Sequence, residues 1–257
     1  MYMNVFLSCI SLFIVFGVNI NGYAHSIKDS VAKLKPSVVG VGLYDAMGAQ
    51  THRLQGTGFA FAKGNYIATN YHVVSAELDP QVVQYRIVFS GQGAHPLIHK
   101  AEVVAIDPVH DLAILKIEQK LPPVTLARGP YLEDGSEVAL TGFPIGAVLG
   151  LYPATHLGII AAVTPDVIPT VNSNQLTINM LKRLKAPFMV YQLDITAYPG
   201  NSGSPVYNTQ NHEVIAVLNK VFIKEAKESV LEKPSGISYA IPIRHLIQLA
   251  SDHAIEL

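Results

Sequence analysis

Cysteine is almost absent from this chain of 257 residues, and its single copy is Cys9. Cys9 lies within an apolar run from Val5 to Val18 that is followed by small or polar residues as far as Ala24, a pattern typical of a secretory signal peptide. We predict that residues 1–24 are removed; retention as a membrane anchor is the alternative. The mature chain would then contain no thiol. This excludes disulfides, cysteine nucleophiles and thiolate metal sites, and it suits export to the periplasm or the medium.

Charged side chains are also few, at 14 % of the residues, and the formal net charge is -1. A nearly neutral chain is attracted at long range neither to a nucleic acid backbone nor to an acidic membrane surface. We therefore expect no nucleic acid partner, and membrane contact only if the N-terminal segment is retained. The hydrophobic content of 49 % is sufficient for a full-sized core in one two-lobed domain or two small ones.

Long patterns of helical period are missing from the middle of the chain. In their place are short apolar runs, rich in Val, Ile, Tyr and Phe and separated by Gly, Pro and Asn. Such runs are typical of β-strands, and without alternating helices they favour antiparallel barrels or a sandwich over a parallel sheet. The predicted strands are Val38–Tyr44, Gly58–Ala62, Tyr66–Thr69, Val83–Phe89, Glu102–Ile106, Leu112–Lys116, Glu137–Phe143, Leu157–Val163, Phe188–Leu193, Pro205–Tyr207, Val214–Val221 and Ile237–Ile241.

Helical signals are confined to the two ends of the mature chain. Residues Ser26–Asp29 form a capping-box pattern at the start of a short helix that Pro36 ends. At the other end, the amphipathic segment Ile243–Ile255 predicts a terminal helix packed onto the body. The stretch Lys116–Pro130, with two prolines at its centre, is where we expect the chain to cross from a first lobe to a second.

The stretch "YPGNSGSPVYN", residues 198–208, encloses Ser202 between small residues. Such residues also make ordinary surface turns, so the motif alone does not identify a nucleophile. Gly200 and Gly203 lack a Cβ, which allows successive N–H groups to point into one concavity. The N–H groups of Gly200 and Ser202 are therefore candidate donors to a tetrahedral oxyanion.

A serine nucleophile requires a base and a group that orients the base. "NYIATNYHVV" places His72 at the end of an apolar strand where a loop begins, and "AIDPVHDLAILKI" places Asp111 immediately before a strand. Each residue alone is better explained as a structural histidine or a turn-forming aspartate. Together with Ser202 they follow the order His, Asp, Ser of the chymotrypsin-like double barrel, which favours a catalytic interpretation. His72 would be the base, and Asp111 would hold its tautomer.

These segments resemble the trypsin-like serine proteases of the HtrA/Deg type. The segments that carry the resemblance are "YIATNYHVV", "VVAIDPVHDLAILKI", "LTGFPIGAVLGLYPATHLGIIAAV", "DITAYPGNSGSPVYN", "VIAVL" and "GISYAIPI". The resemblance implies an all-β protease domain at residues 25–257, with two antiparallel six-stranded barrels at about 37–117 and 124–243. It also implies a His72–Asp111–Ser202 triad, an oxyanion hole at Gly200 and Ser202, and peptide hydrolysis through an acyl-enzyme.

The residues expected at the specificity pocket depart from those of familiar relatives. Bacterial glutamyl endopeptidases share "GNSGSPV" but carry a histidine where this chain has Leu218, and trypsin carries an aspartate where it has Thr196. By resemblance, the pocket is lined by Ala197, Val217, Leu218 and Asn219. The resemblance thus implies a small or medium apolar residue before the scissile bond.

The resemblance also bears on assembly and partners. Most of the family carries a PDZ domain after the protease, for which we expect no room before Leu257. A homotrimer, as in the family, is one expected assembly, and protein or peptide substrates are the expected partners. The insert between Val163 and Phe188 contains a basic cluster of Lys182, Arg183 and Lys185, which we interpret as part of a solvated loop, with partner binding as the alternative.

The remaining histidines do not suggest a metal site. His95 and His99 are separated by a proline and lack accompanying carboxylates, and His110 is expected to be exposed. No metal or organic cofactor is expected, since a serine triad needs none. Two alternative functions remain open: a non-hydrolytic chaperone or peptide-binding module on the same fold, and an esterase using the same chemistry.

Overall fold

The computed structural model describes residues 27–144, 150–166, 187–221 and 236–257. The predicted signal segment and the basic cluster at residues 182–185 lie outside these ranges. In the described ranges, twelve strands close into two antiparallel barrels of six, with short helices at both ends. The predicted fold class is therefore confirmed. No helix in these ranges is long and apolar enough to cross a membrane.

The first barrel has the strand order β1-β2-β3-β6-β5-β4, closed by pairing of β1 with β4. Its strands are β1 (Val38–Asp45), β2 (His52–Phe61), β3 (Tyr66–Thr69), β4 (Gln84–Ser90), β5 (Leu97–Asp107) and β6 (Leu112–Lys116). The second barrel has the order β10-β11-β12-β9-β8-β7, closed by pairing of β7 with β10. Its strands are β7 (Glu137–Gly142), β8 (Ala154–Pro165), β9 (Met189–Asp194), β10 (Pro205–Asn208), β11 (Val214–Val221) and β12 (Ile237–Pro242).

Three α-helices accompany the barrels in the part of the chain that the structure describes. Helix α1 (Ile27–Leu34) runs into a 3₁₀ turn at Lys35–Ser37, which contains the proline expected to end it. Helix α2 (Tyr71–Val74) is a single turn and was not predicted; His72 therefore lies on a helical turn rather than at the start of a loop. Helix α3 (Ile243–Asp252) is three residues shorter than its predicted range, because the chain reaches a positive φ at Ala254.

Many strands are apolar on both faces because each barrel buries both faces of several strands. One face lines the barrel interior, as with Val41 and Leu115 in the first barrel and Leu140 and Leu218 in the second. The opposite face contributes to a third core cluster between the barrels and the terminal helices. That cluster includes Phe59, Ile114, Tyr207, Ile241 and Leu246.

The chain passes from one barrel to the other between β6 and β7. There the N–H of Val124 donates to the carbonyl of Ala60 in the first barrel, at 2.9 Å. Three residues later, the N–H of Ala127 donates to the carbonyl of Val214 in the second barrel, also at 2.9 Å. The crossing segment is thus hydrogen-bonded to both barrels, and the catalytic candidates lie where the barrels face each other.

Candidate active site

His72 and Asp111 lie close together at one end of the first barrel. The ring nitrogen Nδ1 of His72 is 2.7 Å from Asp111 Oδ2, and the backbone N–H of His72 donates to Asp111 Oδ1 at 2.9 Å. A carboxylate only accepts hydrogen bonds, so the proton of the neutral ring belongs on Nδ1 and Nε2 is left as the free base. The arrangement fixes both the orientation and the tautomer of the imidazole.

The backbone of Asp111 is turned to make this contact. Its φ of 53° lies in the left-handed region, which Asp tolerates better than most residues with a side chain. Its carbonyl accepts hydrogen bonds from the N–H of Tyr71 and from Nδ2 of Asn70, both at 3.1 Å. Asp111 is therefore bound to the α2 turn through its carbonyl as well as through its carboxylate.

The turn before Asp111 is held by Asp107. The Asp107 carboxylate accepts the N–H groups of Val109 and His110, at 3.0 and 3.1 Å, and lies 2.5 Å from His110 Nδ1. Burial alone would raise the pKa of Asp107, but its hydrogen bonds to His110 lower the pKa below its ordinary value. These bonds make residues 107–111 a closed turn that presents Asp111 to α2.

His110 is not exposed as predicted; its side chain retains 24 % of its accessible surface. Its ring stacks on His245 of α3, with 3.9 Å between centroids, and meets the edge of Phe188 at 4.6 Å. The prediction failed because both contacts come from the second barrel and its terminal helix, far away in sequence. Burial, followed by the neighbouring His110, lowers the pKa of His245 to about 4.

Ser202 lies in the turn between β9 and β10 of the second barrel. Gly200 and Gly203 flank it with φ values of 99° and 87°, conformations that favour glycine. A Cβ on Gly203 would lie 2.0 Å from the carbonyl oxygen of Thr57. Gly203 therefore allows a close approach of this loop to the first barrel.

The Ser202 loop and the α2 turn lie on either side of Gly56. A Cβ at Gly56 would be 2.8 Å from the side chain of Val73, the neighbour of His72, and 3.0 Å from the carbonyl oxygen of Ser202. The hydroxyl of Ser202, however, donates to the carbonyl of Asn219 at 3.3 Å. Among the hydrogen bonds of the described residues there is none between Ser202 and His72. The structure thus places the His72–Asp111 pair and the Ser202 loop on opposite sides of Gly56, with the serine hydroxyl turned towards β11.

The backbone donors expected for an oxyanion are unpaired. Within the described ranges, the N–H groups of Gly200 and Ser202 donate to no other group. Their neighbours, in contrast, are anchored: the N–H of Asn201 donates to Tyr198 at 3.0 Å, and that of Gly203 to Leu218 at 2.9 Å. The N–H of Ser202 and that of Gly200, two residues before it, thus remain free to bind a ligand oxygen.

The four residues expected at the specificity pocket are buried at different places. Ala197 and Leu218 belong to the core of the second barrel, and Val217 belongs to the cluster between the barrels. Asn219 presents its carbonyl to Ser202. The structure therefore brings Asn219 next to the candidate nucleophile, whereas the side chains of Val217 and Leu218 point into separate clusters.

Comparison with known proteins identifies the family. The family model described as "Trypsin-like peptidase domain" matches residues 56–217. The chain belongs to this trypsin-like peptidase family. The match begins at Gly56 beside the α2 turn and ends on β11, so it includes all three candidate catalytic residues.

Relatives of this trypsin-like peptidase include DegP-like proteins. A "Probable periplasmic serine endoprotease DegP-like" from Halomonas elongata is 32 % identical over 201 residues, which are 76 % of this chain and 35 % of that protein. "Protease Do-like 5, chloroplastic" from Arabidopsis thaliana is 28 % identical over 198 residues, 75 % of this chain and 55 % of the relative. The chain spans about a third of the length of the DegP-like relative.

Solved structures share the fold of this trypsin-like peptidase. An HtrA-type protease, AlgW, solved with a tripeptide, has a TM-score of 0.64 at 24 % identity and covers 88 % of this chain and 63 % of its own. A serine endoprotease from Yersinia pestis has a TM-score of 0.60 at 24 % identity, covering 89 % and 66 %. The resemblance to HtrA/Deg proteins is confirmed.

Sequence reasoning missed three polar residues that support the site of the trypsin-like peptidase. Asn70 and Asp107 hold the Asp111 turn, and Thr57 holds the Ser202 loop. A local signal existed for Asp107, because an Asp before Pro is a typical turn former. The "GTG" around Thr57 showed a polar residue beside an apolar run, but the two partners of its hydroxyl lie 86 and 143 residues away. Within the described part of the chain, no group of three His, Cys, Asp or Glu residues is placed to hold a metal ion.

Proposed function

We propose that this trypsin-like peptidase is an exported serine endopeptidase that cleaves protein substrates through His72, Asp111 and Ser202. The observation that carries the proposal is the double contact of the Asp111 carboxylate with the ring and the backbone of His72. A structural Asp–His pair has no need of a free Nε2 near a serine loop that carries two unpaired N–H groups, those of Gly200 and Ser202. The combination supplies a base, an orienting group, a nucleophile and an oxyanion site.

The reaction begins with rotation of the Ser202 hydroxyl from the Asn219 carbonyl towards Nε2 of His72. Its oxygen attacks the substrate carbonyl while His72 takes the proton. The oxyanion that forms is stabilised by the N–H groups of Gly200 and Ser202. His72 then returns the proton to the leaving amine, and the acyl group stays on Ser202 Oγ. Asp111 remains ionised and stabilises the imidazolium.

Deacylation repeats the same steps with water. His72 removes a proton from the water, whose oxygen attacks the acyl carbonyl, and the same two N–H groups bind the second oxyanion. The proton passes to Ser202 Oγ as the ester bond breaks, which regenerates the free enzyme. The products are a carboxylic acid and an amine, as expected for a peptide hydrolase.

Export and the nature of the substrate are supported by the relatives and by the sequence. The Halomonas elongata relative carries the name of a periplasmic serine endoprotease, and the first 24 residues have the pattern of a secretory signal. The word endoprotease in the same name supports protein substrates. We further propose that the enzyme prefers a small or medium apolar residue before the cut and that it assembles as a homotrimer.

A fluorophosphonate probe tests the nucleophile directly. Ser202 Oγ attacks phosphorus, fluoride leaves, and the hydroxyl proton passes to His72, so a stable adduct forms on Ser202. We expect labelling of the wild type and none of Ser202→Ala. Profiling of cleavage sites in a protein mixture, with Ser202→Ala as the blank, then reports the preferred residue. An unlabelled wild type with an intact circular dichroism spectrum would refute the proposal.

One observation favours a second candidate, a peptide-binding module that does not hydrolyse. The Ser202 hydroxyl is bonded to Asn219 rather than to His72. In this candidate that bond is permanent, and the unpaired N–H groups hold the carbonyl of a bound peptide. The two candidates differ in the probe experiment, because only the peptidase forms the adduct. Comparing turnover of peptides and simple esters separates a peptidase from an esterase.

A further inference from the structure

Thr57 connects the first barrel to the Ser202 loop of the second. It lies on β2 and has no exposed surface. Its backbone N–H donates to the carbonyl of Ser202 at 2.8 Å, and its hydroxyl donates to the carbonyl of Gly200 at 2.7 Å. The same hydroxyl accepts the N–H of Phe143 at 3.1 Å. One threonine thus binds the loop both before and after the peptide unit that carries the Ser202 N–H.

Each Thr57 contact holds one edge of a peptide plane whose other edge is held within the second barrel. In the plane between Gly200 and Asn201, the carbonyl is held by Thr57 and the N–H by the carbonyl of Tyr198. In the plane that follows Ser202, the carbonyl is held by the Thr57 N–H and the N–H by Leu218. A peptide plane bonded at both edges cannot turn over without losing two hydrogen bonds. The peptide between Asn201 and Ser202 lies between these two fixed planes.

The direction of the Thr57 hydroxyl is set by its second partner. A threonine hydroxyl has one proton to donate and two lone pairs to accept with. Because one lone pair accepts the Phe143 N–H, the proton is directed to Gly200. Space is limited as well: a Cβ at Gly142 would lie 3.0 Å from Thr57 Oγ1 and 2.0 Å from Ser204 Oγ. The hydroxyl is therefore a buried bridge with little freedom to turn.

We propose that the Thr57 hydroxyl is a positioning group for the oxyanion site, holding the Gly200 carbonyl so that the N–H groups of Gly200 and Ser202 stay directed at the substrate. The inference rests on the proposed function of Ser202. Thr57 does not touch the reacting atoms; it acts by preventing the Gly200–Asn201 peptide from turning over. A loop without this bond would spend part of its time with the donors misdirected, which reduces stabilisation of the transition state more than binding of the substrate.

The test compares Thr57→Val, which removes the hydroxyl at nearly constant shape, with Thr57→Ser, which keeps it. The substrate is a quenched fluorescent peptide taken from the cleavage profile, and enzyme concentrations are set by fluorophosphonate titration. We expect Thr57→Val to lower kcat by about 10- to 100-fold, less than the roughly 100- to 1000-fold typical of losing a whole oxyanion donor. KM should change by less than about threefold, and Thr57→Ser should recover most of kcat.

Ser30→Ala is the matched control for loss of a buried hydroxyl. Ser30 on α1 is also fully buried, donates to a backbone carbonyl, that of Thr209, at 2.8 Å, and has a second partner in His212 at 2.9 Å. It lies outside the Ser202 loop, so its loss should reduce stability while leaving kcat near the wild-type value. If Thr57→Val does not fold, Thr57→Ala serves as the variant, because the smaller side chain removes the same hydroxyl.

The outcomes separate the inference from the function on which it rests. A wild type that does not react with the probe removes the proposed function, and the inference falls with it. If the wild type reacts but Thr57→Val keeps kcat within about threefold, the positioning role is wrong and the peptidase stands. If Thr57→Ser or Ser30→Ala lost as much kcat as Thr57→Val, the positioning role would also be overturned, since the loss would then reflect packing or stability alone.

Discussion

At the scale of single residues, two aspartates four positions apart make the same kinds of hydrogen bond to different histidines. Asp111 accepts the backbone N–H of His72 and lies beside its Nδ1. Asp107 accepts the backbone N–H of His110 and lies beside the Nδ1 of that ring. The difference is in what surrounds the second ring nitrogen. His72 lies across Gly56 from the Ser202 loop, whereas His110 packs against α3.

The pair of aspartates allows a test of the orienting group. An amide at position 111 donates as well as accepts, so Asp111→Asn favours the tautomer of His72 with its proton on Nε2, which cannot act as the base. We expect kcat to fall by about 10,000-fold, as in the comparable change in a serine protease. The measurement is steady-state hydrolysis of the peptide substrate.

Asp107→Asn is the control for this substitution. It changes the same functional group in the same turn, but it faces His110 rather than the candidate base. We expect it to lose less than about tenfold in kcat, through a looser turn. If both variants lost the same activity, Asp111 would be only a structural residue of the turn, and its assignment to the triad would be wrong.

At the scale of elements, the order of strands was predictable and their ends were not. All twelve predicted strands are present, because each has an apolar run that reaches a buried face. The largest differences are at β2 and β5, which begin at His52 and Leu97, ahead of the predicted Gly58 and Glu102. These extensions are held by ladder pairing with β1 and β4. Most of their side chains are polar or exposed, so no continuous apolar pattern marks them.

For the site as well, the sequence indicated the main candidates but not the residues that support them. Short motifs pointed to His72, Asp111 and Ser202 as candidates, because a triad would constrain the residues next to each of them. The supports of the site depend on contacts that only folding creates: Thr57 reaches a loop 143 residues away, and His110 reaches α3. A single sequence carries no pattern that pairs such distant positions. The same reason explains why His110 was expected to be exposed.

The contact between α3 and the Asp111 turn makes stability dependent on pH. His245 stacks on His110 near Phe188, with Asp107 and Arg244 as the charged groups around it, and its folded-state pKa is about 4. The unfolded value is about 6.5. Below that pH the unfolded chain takes up a proton that the folded chain does not, so stability is complete above about pH 6.5 and decreases as the pH falls towards 4.

His245→Phe tests this contact, because it keeps an aromatic ring and removes the titration. In the wild type, the titration of His245 should lower the unfolding free energy by about 1 to 2 kcal/mol between pH 7 and pH 4, after allowing for partial exposure of the ring. The unfolding free energy is measured by urea denaturation at each pH. We expect it to decrease by correspondingly less in the variant between pH 7 and pH 4. His95→Gln, at an exposed histidine, should retain the wild-type slope. A slope unchanged in His245→Phe would contradict the prediction.

At the scale of the whole molecule, a shared core holds together the two barrels that carry the candidate residues. The cluster between them combines Phe59 and Ile114 of the first barrel with Tyr207 of the second and with Leu246 of α3. His72 and Asp111 belong to one barrel and Ser202 to the other, so their approach depends on this packing. Helix α3 contributes both to the core and to the stack on the Asp111 turn, and it thereby couples global stability to the geometry of the site.

Leu246→Ala tests the coupling between the shared core and the site. Leu246 is fully buried, and loss of its side chain should cost about 2 to 5 kcal/mol of unfolding free energy, from lost burial and the cavity left behind. Because the cluster includes both barrels, we expect one shifted urea transition with an unchanged slope, rather than two transitions. Leu97→Ala, at a side chain that is 66 % exposed, should change stability by less than about 0.5 kcal/mol. Separate unfolding of the two barrels in Leu246→Ala would show that the cluster does not join them.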